Sequence, residues 1–383
     1  MSDTLFIQFY NSSFLENETA LFNGFSDTLS YCQNIGEFIW LEEHEAKVFT
    51  FGSNIKTVYV SSNLSIHSDI SVIWAEQNPS ISFVVGGPCT SIGHDFKMEI
   101  PPNILFTTLS VEQYFGIPDY SIEWGLDLKG INNIDNTKNI IFSYSTMTDC
   151  YWSNCIFCNC HYFNNRYRNY IEHEVFEKID FDKMKTIRFI IPAMSLKNLE
   201  EFIPKFYFNE NIKYDFSIRC DTSIYKEMDR ILSGLNRTIP NMKINFGIEM
   251  PTNRMLKFMK KGIVVDDIIQ TVKVLNKYEN IKIFSNSIIN WPNLIQQDVE
   301  DLKYFVNTVG EIELNSIWKL KCFNGTPAKT IFPNGIEVER FQKYLYVGHI
   351  PYLTDEAMRI NKEAEILLHQ IGNVTWQSEE NIL

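Results

Sequence analysis

Between about residues 186 and 323 the chain keeps changing hydrophobic period, and this alternation restricts its fold more than any single residue does. Short runs rich in Ile, Phe and Val read as strands at 187–191, 215–219, 244–248, 282–289 and 317–323, with an earlier one at 140–144. Helical patterns lie between them. In 266–277, Ile268, Ile269, Val272 and Leu275 share one face, and Asp266 and Asp267 stand where the positive end of the helix dipole favours them. Six strands, each followed by a helix, predict a parallel α/β sheet or partial barrel, in which chemistry gathers at the carboxyl ends of the strands.

The first 130 residues predict a separate α/β unit. Strands are expected at 4–10, 56–61 and 82–85, the last running into Gly86-Gly87-Pro88, with a helix at 68–77. The polar run 127–138, with Gly130, reads as a linker. Thr354 is placed to cap a closing helix over 355–371, with Gly372 just beyond it. The domains expected are therefore 1–130, 138–335 and a cap over 336–383.

Composition narrows the class of protein. Of 383 residues, 45% are apolar in the wide sense, enough for a core that needs no staples, and 34 Lys and Arg against 47 Asp and Glu leave a net charge of −13. That sign argues against a phosphate-wrapping face and so against nucleic acid. No apolar run reaches the roughly 18 residues of a membrane span, and the N-terminus lacks the basic start of a signal peptide. A cytoplasmic protein is expected, in which thiols stay reduced.

Eight cysteines then need a reason. Cys32, Cys89, Cys220 and Cys322 stand alone and read as small buried hydrophobes. Cys150, Cys155, Cys158 and Cys160 crowd into eleven residues, directly after the 140–144 strand, where the fold rule puts a site. Structural zinc wants four ligands in two pairs, and no second pair follows downstream. Three well-spaced thiolates suit an iron–sulfur cubane with one iron left open, with Cys160 outside the ligand set. The offset set Cys155, Cys158 and Cys160 is the alternative. His67, His94 and His161 show no metal-ligand spacing.

At this loop the sequence resembles the radical S-adenosylmethionine superfamily, whose three cysteines follow the first strand of a partial (β/α)6 barrel in a Cys-x3-Cys-x2-Cys loop. Phe157 occupies the aromatic place before the last cysteine, and the first gap is one residue longer here. Gly247-Ile248-Glu249, with Leu256 and Lys260-Lys261-Gly262 beyond it, is similar to the "GxE…L…M.KG" stretch of the branch with N-terminal cobalamin-type domains. Ser217-Ile218-Arg219-Cys220-Asp221 looks like that branch's "R.D" segment. Asn290-Trp291-Pro292 stands where the branch has a "GxP" turn, without the glycine, and Gly325-Thr326-Pro327 is similar to its "GTP" turn.

The resemblance implies an α/β fold with an N-terminal Rossmann-like, cobalamin-domain-like unit, a (β/α)6 partial TIM barrel and a short C-terminal helical cap. It implies a [4Fe-4S] cluster on Cys150, Cys155 and Cys158 that binds S-adenosylmethionine and cleaves it reductively, giving a 5′-deoxyadenosyl radical that abstracts hydrogen from a substrate. Phe157, Ser217, Arg219 and Glu249 are the cofactor-binding candidates. Cys322 could donate a hydrogen atom to a substrate radical, although core packing is its simpler reading. The substrate expected is a ribosomally made peptide under maturation or a small natural product, with a flavodoxin- or ferredoxin-type electron donor and a peptide-recognition partner protein. Cobalamin-dependent C-methylation is the alternative. Against it stand the absence of an Asp-x-His-x-x-Gly motif and the altered stretch 108–112, so cobalamin is not the favoured expectation. A catalytically silent iron–sulfur or zinc scaffold is the reading from another class.

Overall fold

The computed structural model describes residues 2–11, 18–21, 35–62, 65–86, 95–96, 100–107, 114–115, 139–144, 150–158, 184–189, 193–206, 212–235, 238–323, 325–339, 345–371 and 376–377. The expected linker at 127–138, Gly372 and the cysteines Cys32, Cys89 and Cys160 lie outside them. Two compact units emerge: Met1–Tyr144 with Ile171–Thr186 and Glu339–Val347, and Ser145–Tyr170 with Ile187–Val338 and Gly348–Leu383.

In the first unit β1 (Thr4–Asn11) runs parallel to β3 (Glu37–Glu42) and β4 (Thr57–Ser61) and antiparallel to β2 (Glu18–Leu21). Beyond β4, β5 (Ser82–Gly86) and β7 (Ile104–Phe106) continue in parallel; β6 (Asp95–Phe96) lies off this path, and β8 (Asn139–Tyr144) pairs in parallel with β2. Period 2 explains the layering. Leu5, Ile7 and Phe9 share a core with Val58, Val60, Phe83 and Val85, beneath Ile70 and Trp74 of the helix Ser65–Gln77. Phe6, on the opposite face, stacks on Tyr59 with ring centroids 5.0 Å apart.

The second unit is built on β10 (Lys213–Ser217), β11 (Asn241–Glu249), β12 (Ile281–Ile289), β13 (Glu313–Lys319) and β17 (Trp376–Gln377), parallel in that order, with β9 (Met184–Phe189) beside β10. Helices Leu196–Phe202, Thr222–Ser233, Val265–Leu275 and Gln296–Thr308 connect successive strands. One face of the sheet is apolar: Met242, Ile244, Phe246 and Ile248 are buried, and Phe206 stacks on Tyr214 at 4.1 Å. The other face is polar, with Asn245 donating to Asp215 and the Ser316 hydroxyl donating to Asn286 at 2.7 Å. The fold is thus mixed α/β with parallel strands, and the expected strands are present with shifted ends. The expected run 317–323 is two elements, β13 and β14 (Cys322–Phe323): the parallel pairing with β12 ends where the Leu320 amide donates to the Ile289 carbonyl. β14 pairs antiparallel with β16 (Leu345–Pro351), in a small second sheet that also holds β15 (Gly335–Glu339). The closing helix is Asp355–Leu368, with Thr354 accepting from the Ala357 amide at 3.2 Å as expected.

Candidate iron–sulfur site

The cysteine loop rests on a helix end whose geometry follows from its sequence. Helix Asn253–Phe258 begins under Thr252, whose hydroxyl accepts from the Met255 amide and donates to Asp298 at 3.0 Å; Arg254 forks onto the same carboxylate. It ends in a Schellman turn. The Lys261 amide bonds the Leu256 carbonyl, the Lys260 amide bonds that of Lys257, and Lys260 takes the left-handed conformation at φ 54°. This turn holds the loop through two main-chain carbonyls and Arg219 through a third. The Met259 carbonyl accepts from the Ile156 amide at 3.1 Å, the Lys260 carbonyl accepts from the Trp152 indole at 2.8 Å, and the Lys261 carbonyl accepts from Arg219. Gly262 follows at φ 68°, and a Cβ there would lie 2.0 Å from the Trp152 ring, so glycine is required there by close approach. From the other side, the Ala328 amide donates to the Ile156 carbonyl at 2.9 Å.

Side chains complete the enclosure. Tyr151 donates to Asp221 at 2.8 Å, and Asp221 also caps helix Thr222–Ser233. Phe157 meets Trp291 edge-on at 6.1 Å and lies 5.9 Å from the Lys261 ammonium. Trp291 is fixed by Asn361, which accepts from its amide and donates to its carbonyl, both at 2.9 Å. The preceding Asn290 stands at φ 67°, supplying the left-handed conformation that the missing glycine would have supplied.

Glu249 ends β11 at a bulge, at φ 56°, and pairs with Lys261 at 2.9 Å with both side chains about 10% exposed. Burial is the largest influence and works against the Lys261 charge, but Glu249 and Cys155 together outweigh it and raise the ammonium's pKa overall. Gly247 is explained by the same pair, since a Cβ there would sit 1.8 Å from the Glu249 carboxylate. Cys155 is pushed up by burial, while Lys261 and then Arg219 pull it back.

Cys150, Cys155 and Cys158 are half-buried and in no disulfide among the described residues, and the Cys158 amide bonds back to the Cys155 carbonyl at 3.2 Å. A tetrahedral ion with bonds of about 2.3 Å holds sulfurs about 3.8 Å apart. These three sulfurs do not all lie within 4.8 Å of one another, so they are not drawn together as the ligands of a single ion. The structure therefore brings together the three cysteines, Phe157, Arg219 and Glu249. Ser217 lies half-buried at the carboxyl end of β10, its carbonyl accepting from the Met194 amide. Cys322 belongs to the β14–β16 pair, fully buried opposite His349, with its thiol pushed up to about 11 by burial. Asp221, Lys261 and Trp291 were legible only as members of the similar stretches, without a role, and Tyr151 and Trp152 had none either.

No protein-family model matches the chain, and no curated protein is similar to it. Among solved structures it is similar to the radical S-adenosylmethionine methyltransferase TsrM from Kitasatospora setae, solved with cobalamin and a [4Fe-4S] cluster bound. The TM-score is 0.56 at 10% identity, covering 95% of this chain and 85% of that one. A spore photoproduct lyase mutant aligns over 99% of both chains at 11% identity, with a TM-score of 0.36. The likeness to the methyltransferase is one of fold: this chain shares its α/β architecture.

Proposed function

We propose that the chain is a radical S-adenosylmethionine enzyme, with an N-terminal Rossmann-like unit and a partial barrel, holding a [4Fe-4S] cluster on Cys150, Cys155 and Cys158. The observation that carries this reading is the three-thiol loop locked onto the strand ends of a fold shared with such an enzyme. When bound, the cluster would supply one electron to the sulfonium of S-adenosylmethionine and so release a 5′-deoxyadenosyl radical. The chain's own residues do the rest. Glu249, at the end of β11, is an acceptor for the ribose hydroxyls, and Lys261 holds its carboxylate in place. Phe157 and Trp291 form an apolar wall that excludes water beside the loop. The substrate is a peptide or small natural product from which hydrogen is abstracted. Anaerobic reconstitution with dithionite and S-adenosylmethionine should yield 5′-deoxyadenosine, and the triple Cys150→Ala, Cys155→Ala, Cys158→Ala variant should yield none; no product from the wild type would refute the reading.

A second reading is favoured by one observation, the likeness to a methyltransferase solved with cobalamin. The stretch 108–112, whose alteration stood against a corrin, lies outside the described residues. Hydroxocobalamin retained in stoichiometric amount after gel filtration, together with S-adenosylhomocysteine and a methylated product, would establish this reading over hydrogen abstraction alone.

A further inference from the structure

Among the described residues Arg219 is a buried cation without an acidic partner. It is 8% exposed, one terminal N–H donates to the Lys261 carbonyl, and Nε has no acceptor. Its guanidinium carbon lies 4.7 Å over the Trp152 ring and 5.8 Å from the centre of the Tyr151 ring. Both rings belong to the cysteine loop. Among the described residues the nearby carboxylates are committed elsewhere: Glu249 to Lys261, and Asp221 to Tyr151, Ser223 and the Ile224 amide. A buried charge left uncompensated is costly, and aromatic faces offset only part of that cost.

We propose that Arg219 is the counter-charge of the cluster, a positioning residue whose guanidinium, held on the Tyr151 and Trp152 rings, offsets the negative charge of the thiolate-bound iron and makes its reduction easier. The inference rests on the [4Fe-4S] reading above and adds the role of this residue to it. Three thiolates around a cubane leave a formal negative charge that grows by one when an electron enters, so a fixed cation beside them favours the reduced state. At about 10 Å and an effective dielectric of about 20, one charge alters the ratio of reduced to oxidised cluster roughly tenfold.

The test is an anaerobic potentiometric titration of the full chain with dithionite, read by electron paramagnetic resonance, on wild type, Arg219→Met, Arg219→Gln and Arg219→Lys, with iron per chain measured on each. The wild type tests the cluster reading: a chain that takes up no cubane refutes that reading, and the inference falls with it. With the cluster present, Met and Gln should keep their iron and be harder to reduce, with about tenfold less reduced cluster at the wild-type midpoint, equivalent to about 59 mV for a one-electron couple. Lys, which keeps the charge, should stay within about threefold of wild type. If Met prevents assembly, Gln and Lys decide. A neutral variant that keeps both iron and potential overturns the proposal, as does a Lys variant shifted as far as the neutral ones.

Discussion

Replacing Gly247 by Ala tests the Glu249–Lys261 pair through a position that touches neither the cysteines nor the backbone turn. The added methyl would lie 1.8 Å from Glu249 Oε1, 2.8 Å from Glu249 Cδ and 3.2 Å from the Lys261 ammonium. No positive φ is involved at 247, so the backbone itself accepts alanine. What must move is the carboxylate, and it is free to move only by leaving Lys261. Losing a whole partner of a buried pair costs about 3 to 5 kcal/mol, but a displaced carboxylate regains some water, so about 1 to 3 kcal/mol is expected. The assay is urea unfolding of four proteins: wild type, Gly247→Ala, Glu249→Ala and the double variant. With the Glu249 side chain gone the methyl at 247 meets no carboxylate, so Gly247→Ala should cost less than about 0.5 kcal/mol in that background, and the cycle should show coupling above about 1 kcal/mol. Equal costs of Gly247→Ala in both backgrounds would refute the reasoning.

Other outcomes follow from single geometries. Gly262→Ala combines a left-handed φ of 68° with a methyl 2.0 Å from the Trp152 ring; it should destabilise by about 2 kcal/mol and change the Trp152 emission, and an unchanged protein would remove the close-approach account. Asn290→Gly should be nearly neutral and Asn290→Val should cost about 1 to 2 kcal/mol, because φ 67° suits Gly and Asn but not a β-branched residue; equal cost in chemical unfolding would contradict this. Asp69 has a buried oxygen with no hydrogen-bond partner, and burial raises its carboxyl from 3.8 to about 7. The folded chain then holds a proton that the unfolded chain has released, so stability from this group is full below about pH 4 and is lost as pH rises through 7. Asp69→Asn should flatten that slope and stabilise the protein at pH 8 by about 1 to 3 kcal/mol, and an unchanged pH profile would remove the burial argument.

Legibility in the sequence followed period and spacing. β12, expected at 282–289 and seen at Ile281–Ile289, alternates cleanly because one face is covered by helices. The Thr354 cap was readable because its geometry is local. β3 (Glu37–Glu42) escaped because its apolar core, Phe38 to Leu41, is flanked by acidic residues rather than by turn signals. The helix Ser65–Gln77 starts three residues before the expected Ser68, in a serine-rich stretch that offers several equivalent starts. In the site, the cysteines and Glu249 were visible as spaced residue types. Their supports were not, since Trp152 meets Gly262 and Tyr151 meets Asp221 across 110 and 70 positions of sequence. The partner of Glu249 was not legible either; the bulge at Gly247 and the Schellman turn at Lys260 turn it to Lys261. Arg219 is thereby released to the aromatic rings.

The central claim is that Cys150, Cys155 and Cys158 hold a cubane with one iron left open. Mössbauer and paramagnetic resonance spectra of the reconstituted full chain, with and without S-adenosylmethionine, test it most directly. The account predicts about four irons per chain, a single iron site whose signal changes when S-adenosylmethionine is added, loss of the cluster when any of these three cysteines becomes Ala, and its retention in Cys160→Ala. One mononuclear metal per chain, or a cluster lost with Cys160 and kept with Cys150, would contradict it.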